Sequence, residues 1–481
     1  MASFPATWYP SYLMDRRRFA RVTAIILGDL ALLNAALWFA LTARHLAAPT
    51  LWFFNQHVIS FNLIFLAWLV GFQMFGLYDV RRFRYLAEML KGWIGAGSAN
   101  LVWSLSFLYF FPPSFFVGNA PKTHLLLAWA FGHAAIFGWR QVLLRFLSLR
   151  RFRRRAAVFG DRAHVQEIAG ELRRHPQMGY ESVKWRWPGT DLVVADEKWV
   201  ESHWMQAGHV LGLAAEHRVP VMGLARFYET ILGKVPPEAA ASAEWLIGAV
   251  YGRYGDWYLP AKRVVDVALS ALMLVALAPV IVLTAAIVRY LDGSPVFFGQ
   301  RRVGRMGREF VLWKFRTMKS GAEKSGPFAA RKIREGLETP LGSRLRRYRI
   351  DEFPQLWNVL KGEMSLVGPR PEWSAEVTVL GKWIPHYYIR HLVKPGVTGW
   401  AQLNFRATNS AGDSLEKFRF DLYYIKNLSL ALDLMILLRT VQRMFLSDSA
   451  VPAAQFRELK LSGRHAVFAK ALGARAHRKR G

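Results

Sequence analysis

Residues Lys262 to Arg289 read KRVVDVALSALMLVALAPVIVLTAAIVR. The apolar run inside, Val264–Val288, exceeds the roughly 20 residues a helix needs to cross a bilayer. Its flanks are basic on both sides: Lys262 and Arg263 before it, Arg289, Arg301, Arg302 and Arg305 after it. Basic flanks stay on the cytoplasmic side of a membrane, so both ends of this helix are expected on one side. Pro279 sits just past the middle. An interior proline removes a backbone hydrogen bond and kinks the helix. The two features together predict a re-entrant helix that enters and leaves one leaflet, with its break at Pro279. A straight span with a tolerated proline is the alternative.

Upstream, four further apolar stretches occupy the first 150 residues: Val22–Leu41, Val58–Leu77, Trp93–Phe111 and Leu125–Leu147. Arg16, Arg17, Arg18 and Arg21 precede the first. Arg81, Arg82, Arg84 and Lys91 separate the second from the third. Arg150, Arg151, Arg153, Arg154 and Arg155 follow the fourth. The remaining loops carry little beyond Arg44 and Lys122. This alternation predicts a four-helix transmembrane bundle over 1–150 with both ends in the cytoplasm. No signal peptide with a small-residue cleavage site precedes it, so the first apolar segment is expected to stay.

Composition agrees. The chain of 481 residues is 53% hydrophobic, yet its net charge is +30. That pairing suits a membrane protein with basic flanks against anionic headgroups. The apolar runs are too long for a soluble nucleic-acid binder, so no nucleic-acid partner is expected. With no cysteine, disulfides, thiolate-bound zinc and thiol catalysis are excluded.

Between the bundle and the re-entrant helix, strands and helices alternate. Ala156–Gly160, Val183–Trp187, Leu192–Ala195 and Val219–Met222 read as strands, with helices at His164–Arg174 and Trp204–His217. This predicts a small Rossmann-like parallel α/β domain over 151–250. Only Gly160 stands where a dinucleotide fingerprint places three glycines. The domain therefore reads as a degenerate one, a structural or regulatory spacer. Residues 251–450 are left as an α/β-like catalytic domain, with Leu428–Leu438 as an interfacial helix and a basic tail over 451–481.

The chemistry-bearing segments lie in that catalytic domain. Adjacent Asp351 and Glu352 repel each other and want a cation; a hard divalent ion such as Mg2+ binds carboxylates and phosphate oxygens together. A carboxylate can also attack phosphorus to form an acyl phosphate. The surrounding arginines and lysines are phosphate clamps. Gly368-Pro369-Arg370-Pro371 stiffens the chain around one arginine. Pro395-Gly396 and Thr398-Gly399 form a tight turn where backbone could approach a base or a phosphate. Each feature alone is an ordinary surface element, and the argument rests on their clustering.

The cluster, with Gly299–Gly304, Lys314–Met318, Asp351–Gly362, Ser365–Glu372, Lys394–Gln402, Asp421–Asn427 and Leu432–Leu434, resembles the large monotopic polyprenyl-phosphate phosphoglycosyl transferases. These bacterial sugar transferases initiate exopolysaccharide, capsule and O-antigen repeat units; the glucose-type exopolysaccharide branch is the nearest. The resemblance implies transfer of a hexose-1-phosphate from a UDP-sugar, glucose or galactose, to undecaprenyl phosphate with release of UMP. It implies Asp351 as nucleophile, Glu352 and Asp351 as Mg2+ ligands and Arg370 as a phosphate holder. Arg301, Lys314, Arg316 and Pro369 become substrate contacts, and Pro395, Gly396, Gly399 and Gln402 a nucleotide contact. It places the chain in the bacterial inner membrane, with the catalytic domain on the cytoplasmic face. Separately, the bundle and spacer domain offer surfaces with no evident catalytic use, on which a homodimer could form. Two positions depart from the family pattern. Ala278-Pro279 replaces Ser-Pro, and Leu337 stands where an arginine is usual, with Arg331, Arg334 and Arg344 as candidate substitutes. A non-catalytic scaffold and a lipid-diphosphate phosphatase are the competing readings.

Overall fold

The computed structural model describes residues 11–78, 86–110, 121–238, 257–319, 336–405 and 411–445. The basic tail, Arg331 and Arg334 lie outside the described residues. The chain divides into two units, Met1–Leu232 and Gly233–Gly481.

In the first unit the four apolar stretches form long helices: α1 (Ser11–His45), α2 (Leu51–Met74), α3 (Leu86–Phe110) and α4 (Pro121–Ser148). α1 packs on α4 and α2, and α3 packs on α2 and α4. Leu33, Leu37, Phe61, Phe65, Trp68 and Phe72 form the shared core. Thr50 caps α2 by accepting from the Phe53 amide at 3.3 Å, supplying one of the donors a helix start leaves open. Several polar groups inside are paired, which lowers the cost of holding them in an apolar surround. Arg140 meets Asp29 at 2.5 Å, the Tyr78 hydroxyl donates to the same carboxylate at 2.9 Å, and Asn34 and Asn62 exchange amide bonds at 3.0 Å. Thr23–His45 within α1, and α2, are long and apolar enough to cross a membrane.

The α/β part follows with β1 (Arg154–Phe159), α5 (Arg162–Arg174), β2 (Tyr180–Val183), β3 (Leu192–Ala195), α6 (Glu197–Ser202), α7 (Trp204–Glu216), β4 (Val221–Gly223) and α8 (Leu224–Leu232). The sheet is parallel, in the order β2-β1-β3-β4. Two strands differ from expectation. β2 lies at Tyr180–Val183, before Val183–Trp187, because the chain turns off the sheet ahead of Pro188 and Gly189. β4 begins after Pro220, which has no amide hydrogen to give a ladder.

The second unit opens with α9 (Tyr258–Leu291). Then come the antiparallel hairpin β5 (Phe297–Val303) and β6 (Glu309–Phe315), α10 (Pro340–Arg347), α11 (Gln355–Lys361), β7 (Ser365–Val367), α12 (Ser374–Trp383), β8 (Gly396–Thr398), α13 (Trp400–Asn404), α14 (Ala411–Lys426) and α15 (Leu430–Phe445). This unit is mostly helical, with β5-β6 and the parallel pair β7-β8 as its sheets among the described residues. Leu356, Val359, Leu366, Tyr387, Phe418 and Tyr424 are in its core.

α9 is helical throughout, with Pro279 in its interior, and it too is long and apolar enough to cross a membrane. One face is tied to the unit along its length. Arg263 donates to the carbonyls of Val359 and Leu360 at 2.6 and 2.7 Å. Buried Asp266 accepts from the Leu366 amide at 3.0 Å. Leu269, Leu274 and Leu277 pack on the main core, while Ile281, Ala285 and Val288 pack with Phe315 and Leu345. Val264, Leu272, Val275, Val282 and Leu283 are exposed on the other face. The helix expected at the interface, Leu428–Leu438, is held by protein on its inner side, while Leu434 is exposed on the outer side. Ile436 of α15 is fully buried, and Asp433 takes bonds from Tyr258, Tyr424 and Lys262 at 2.9, 2.7 and 2.8 Å. A buried carboxylate needs such partners.

Candidate active site

Asp351 and Glu352 lie in a helical turn, Ile350–Glu352, between α10 and α11. Arg349 starts the turn in the left-handed region, φ 56°, which swings the chain so that Asp351 points inward. Asp351 is 5% exposed. Burial raises its pKa above the ordinary carboxylate value, and adjacent Glu352 adds to the rise while Lys314, Arg346 and Arg370 oppose it.

Glu352 is the hub of a cation cluster. Arg370 donates to it at 3.0 Å, Lys314 lies at 3.7 Å and Arg349 at 3.9 Å. Burial alone would push Glu352 up, but the three cations hold it down at about 2. Lys314 is pushed down to about 8 by burial, against the pull of Glu352. The strand that carries Lys314 is fixed to α11 by Asn358, which is fully buried. Asn358 accepts from the Trp313 amide at 3.2 Å and donates to the Val311 carbonyl at 2.7 Å. Hairpin and carboxylate turn are thus locked together by one side chain.

Arg370 is placed from below. The Arg390 guanidinium donates to the Arg370 carbonyl and to Asp421, both at 3.0 Å, and to the Tyr387 hydroxyl. Arg302 donates to the Pro371 carbonyl at 3.0 Å and lies over the Trp373 ring. The Gly368 amide donates to Thr398, and the Gly396 amide to Pro369, both at 2.9 Å. The loop therefore has no freedom to swing, and the Arg370 side chain remains 41% exposed.

The remaining sequence-predicted residues divide. The glycines of the Pro395–Gln402 turn are spent on this packing: a Cβ at Gly396 would sit 2.0 Å from the Gly368 nitrogen, and one at Gly399 2.1 Å from the Gly368 oxygen. Pro395 accepts from the Ser365 amide at 2.9 Å, and the Gln402 side chain donates to Val397 at 3.1 Å. Arg301 is 83% exposed, beside Glu309 at 4.0 Å. Arg316 donates to the Ser294 carbonyl at 2.6 Å. Leu337 is half-buried; its carbonyl accepts from the Lys319 amide at 2.9 Å. Sequence reading missed Arg346, Arg349 and Arg390. The basic run Arg344–Arg349 directly before the carboxylates is a signal for the first two. Arg390 has no local signal, since its role exists only in the folded chain.

Among the described residues no group of three acidic or histidine side chains could hold a metal. Mg2+ in phosphate-handling sites takes one or two protein carboxylates and completes its shell with phosphate oxygens and water, so a pair is enough in number.

Residues 257–447 match the family described as bacterial sugar transferase. An uncharacterised sugar transferase of Bacillus subtilis is 42% identical over 191 residues, 39% of this chain and 88% of that protein. The chain belongs to the bacterial sugar transferase family. Within it, an Aeromonas hydrophila UDP-N-acetylgalactosamine-undecaprenyl-phosphate N-acetylgalactosaminephosphotransferase is 35% identical over 256 residues, 52% of this chain and 58% of that protein. A UDP-glucose:undecaprenyl-phosphate glucose-1-phosphate transferase of Xanthomonas campestris is 40% identical over 190 residues, 39% of each chain. The match thus spans little more than half of the first of these two and well under half of the second. The family resemblance is borne out, and all the site residues named above lie inside the matched segment.

Proposed function

We propose that this chain transfers a hexose-1-phosphate from a UDP-sugar to undecaprenyl phosphate, with Asp351 as the nucleophile. The observation that carries the reading is the buried Asp351 beside Glu352, ringed by Arg370, Lys314 and Arg349. An ionised Asp351 oxygen attacks the sugar-bearing phosphorus. The P–O bond to the bridging oxygen breaks, and UMP leaves with both electrons. The resulting aspartyl phosphosugar is attacked by an oxygen of undecaprenyl phosphate; the Asp351–phosphorus bond breaks and the carboxylate is restored. Both steps crowd anionic oxygens together, so fixed cations aimed at them supply the main stabilisation. Arg370 suits bidentate phosphate contact, and Lys314 and Arg349 add charge on either side of Glu352. Asp351 and Glu352 would hold Mg2+, which when bound neutralises phosphate charge. Glucose and galactose are the sugars proposed first, and the named relatives extend the choice to N-acetylgalactosamine.

The membrane arrangement belongs to the same proposal. α1–α4 form the transmembrane bundle of the cytoplasmic membrane. α9 dips into one leaflet from the cytoplasmic face, which brings a lipid phosphate and a soluble nucleotide-sugar to one site. Its support is that residues near both ends of α9 pack on the same unit while its outer face is apolar and exposed. The test is UMP release by purified protein with UDP-sugar, Mg2+ and undecaprenyl phosphate. Acceptor-dependent release that disappears in Asp351→Asn supports the reading. A single equivalent of UMP per protein without acceptor is the first half of the covalent route; repeated turnover without acceptor indicates hydrolysis, and activity retained in the variant overturns the covalent route.

A further inference from the structure

The α/β part of the first unit contains a cavity of about 690 Å3 lined by Arg151, Arg153, Arg154, Arg155 and Arg218. One carboxylate, Asp191, lines it as well, and that group is held by the Arg155 amide at 2.8 Å and side chain at 3.3 Å. Five arginines and one carboxylate line the cavity, so the lining is positive on balance. Like charges crowded into a cleft repel, and an anion relieves that repulsion. Arginine forks match phosphate oxygens best. The wall is partly aromatic: the Trp187 ring lines the cavity and stacks on His217, centroids 4.1 Å apart and 9° from parallel.

The location is unusual for this fold. Parallel α/β sheets take ligands at the carboxyl ends of their strands. Here the cavity is at the amino ends: Arg154 and Arg155 open β1, Asp191 precedes β3 and Pro220 precedes β4. The carboxyl end is ill suited to phosphate. Gly160 has φ +158°, but a Cβ there would lie 2.6 Å from Leu224, so packing accounts for it. Asp161 uses its side chain to cap α5 through the Ala163 amide at 2.9 Å. Asp196 adds a second acid at that end, its pKa raised by burial. A phosphate entering there would meet two carboxylates. The charge of this sheet is thus inverted relative to a dinucleotide-binding one. The cavity also begins just past Ser148, where α4 ends and a single helical turn, Arg150–Phe152, leads into β1.

We propose that this arginine-lined cleft at the amino edge of the sheet is a binding site for a phosphate-bearing ligand. The shared chemistry is a phosphate group; an anionic lipid headgroup and a soluble diphosphate are its two sources. The inference does not depend on the transferase reading.

The test uses the full chain in lipid nanodiscs, with amide hydrogen exchange read at residues 187–191 and 217–220. One arm compares nanodiscs of phosphatidylcholine alone with nanodiscs containing phosphatidylglycerol. The other adds inorganic pyrophosphate to the phosphatidylcholine nanodiscs. Slower exchange in the first arm identifies a lipid source, and in the second a soluble one; either supports the site. Arg151→Gln/Arg218→Gln changes two exposed lining residues, and should abolish the protection and weaken pyrophosphate at least tenfold where that arm is positive. Arg162→Gln/Arg173→Gln removes the same charge from exposed positions on α5 and should change neither. Protection in neither arm, or equal loss in both double variants, overturns the proposal.

Discussion

Two charge clusters in the second unit use the same residue types to opposite ends. Around Arg390, the guanidinium and Asp421 are 4% and 3% exposed, and Glu372 closes the group at 3.6 Å. Around Glu352, Arg370 and Arg349 are 41% and 44% exposed. The first cluster is closed and satisfied internally. The second has three cations facing Glu352 and Asp351, and two of them reach solvent. The closed cluster holds the Arg370 backbone; the open one presents the Arg370 side chain. The lesson is a division of labour: buried pairs fix where the arginine stands, and half-exposed cations are left to meet phosphate.

The sharpest break of this comparison is Asp351→Asn. It removes the proposed nucleophile, so UMP release should fall on the order of 10⁶-fold, as for nucleophile losses that act as a unit. Stability should not fall with it. The folded-state pKa of Asp351 is raised by burial, so its ionised form costs stability once pH rises above the carboxylate range. A neutral amide avoids that cost. A melting temperature equal to or above that of the parent is therefore expected, and a large drop would mean that Asp351 has structural partners in the folded protein.

Arg370→Ala addresses the open cluster alone. Removing one preorganised charge at a transferring phosphate costs about 10²–10³ in rate, and kcat/KM for UMP release is the readout. Because the side chain is half-exposed, the effect on melting should be small. Arg390→Met addresses the closed cluster and should invert the pattern. It leaves Asp421 and Glu372 buried without their main cation, a change that costs about 3–5 kcal/mol of stability, measurable by denaturant unfolding. Arg390→Met/Asp421→Leu should regain part of that loss, since replacing both partners by apolar groups is far less harmful than orphaning one. If Arg390→Met melted normally and lost only rate, the two clusters would not be separable in the way argued.

How much of this was legible in the sequence follows the same division. The five apolar helices, the parallel α/β unit and the Asp351-Glu352 pair with Lys314 and Arg370 can be read from local runs and motifs. Arg390 cannot, because its partners Asp421, Glu372 and the Arg370 carbonyl come from separate segments. The glycines at 396 and 399 were read as room for a ligand, and the structure fills that room with Gly368. A lone glycine signals close approach without saying what approaches. The helix at Leu430–Phe445 has an amphipathic pattern, and a pattern does not say which of its residues protein covers; the buried Asp433 and Ile436 do. The arginine-lined cleft brings together residues from near 151, 187 and 218, a convergence no window of sequence contains.

The finest distinction concerns Lys314, which lies between the two behaviours: mostly buried at 18% exposure, yet part of the open cluster. Burial pushes its pKa down to about 8. As pH rises through 8 the amine loses its charge, Glu352 loses a cation and the incoming phosphate loses a partner, so kcat/KM should fall on the alkaline side. On the acid side, Asp351 takes up its proton at a higher pH than an ordinary aspartate, and the nucleophile is lost as pH falls. A bell-shaped profile of UMP release results, reporting the free enzyme. Lys314→Arg keeps a positive charge at all working pH. It should leave the acid limb in place and move the alkaline limb beyond the measured range, while lowering the rate at every pH by the geometric penalty of exchanging an ammonium for a guanidinium. An alkaline limb that stays near 8 in the variant would assign that ionisation to another group, and Lys314 would then belong with the closed cluster as a positioning charge.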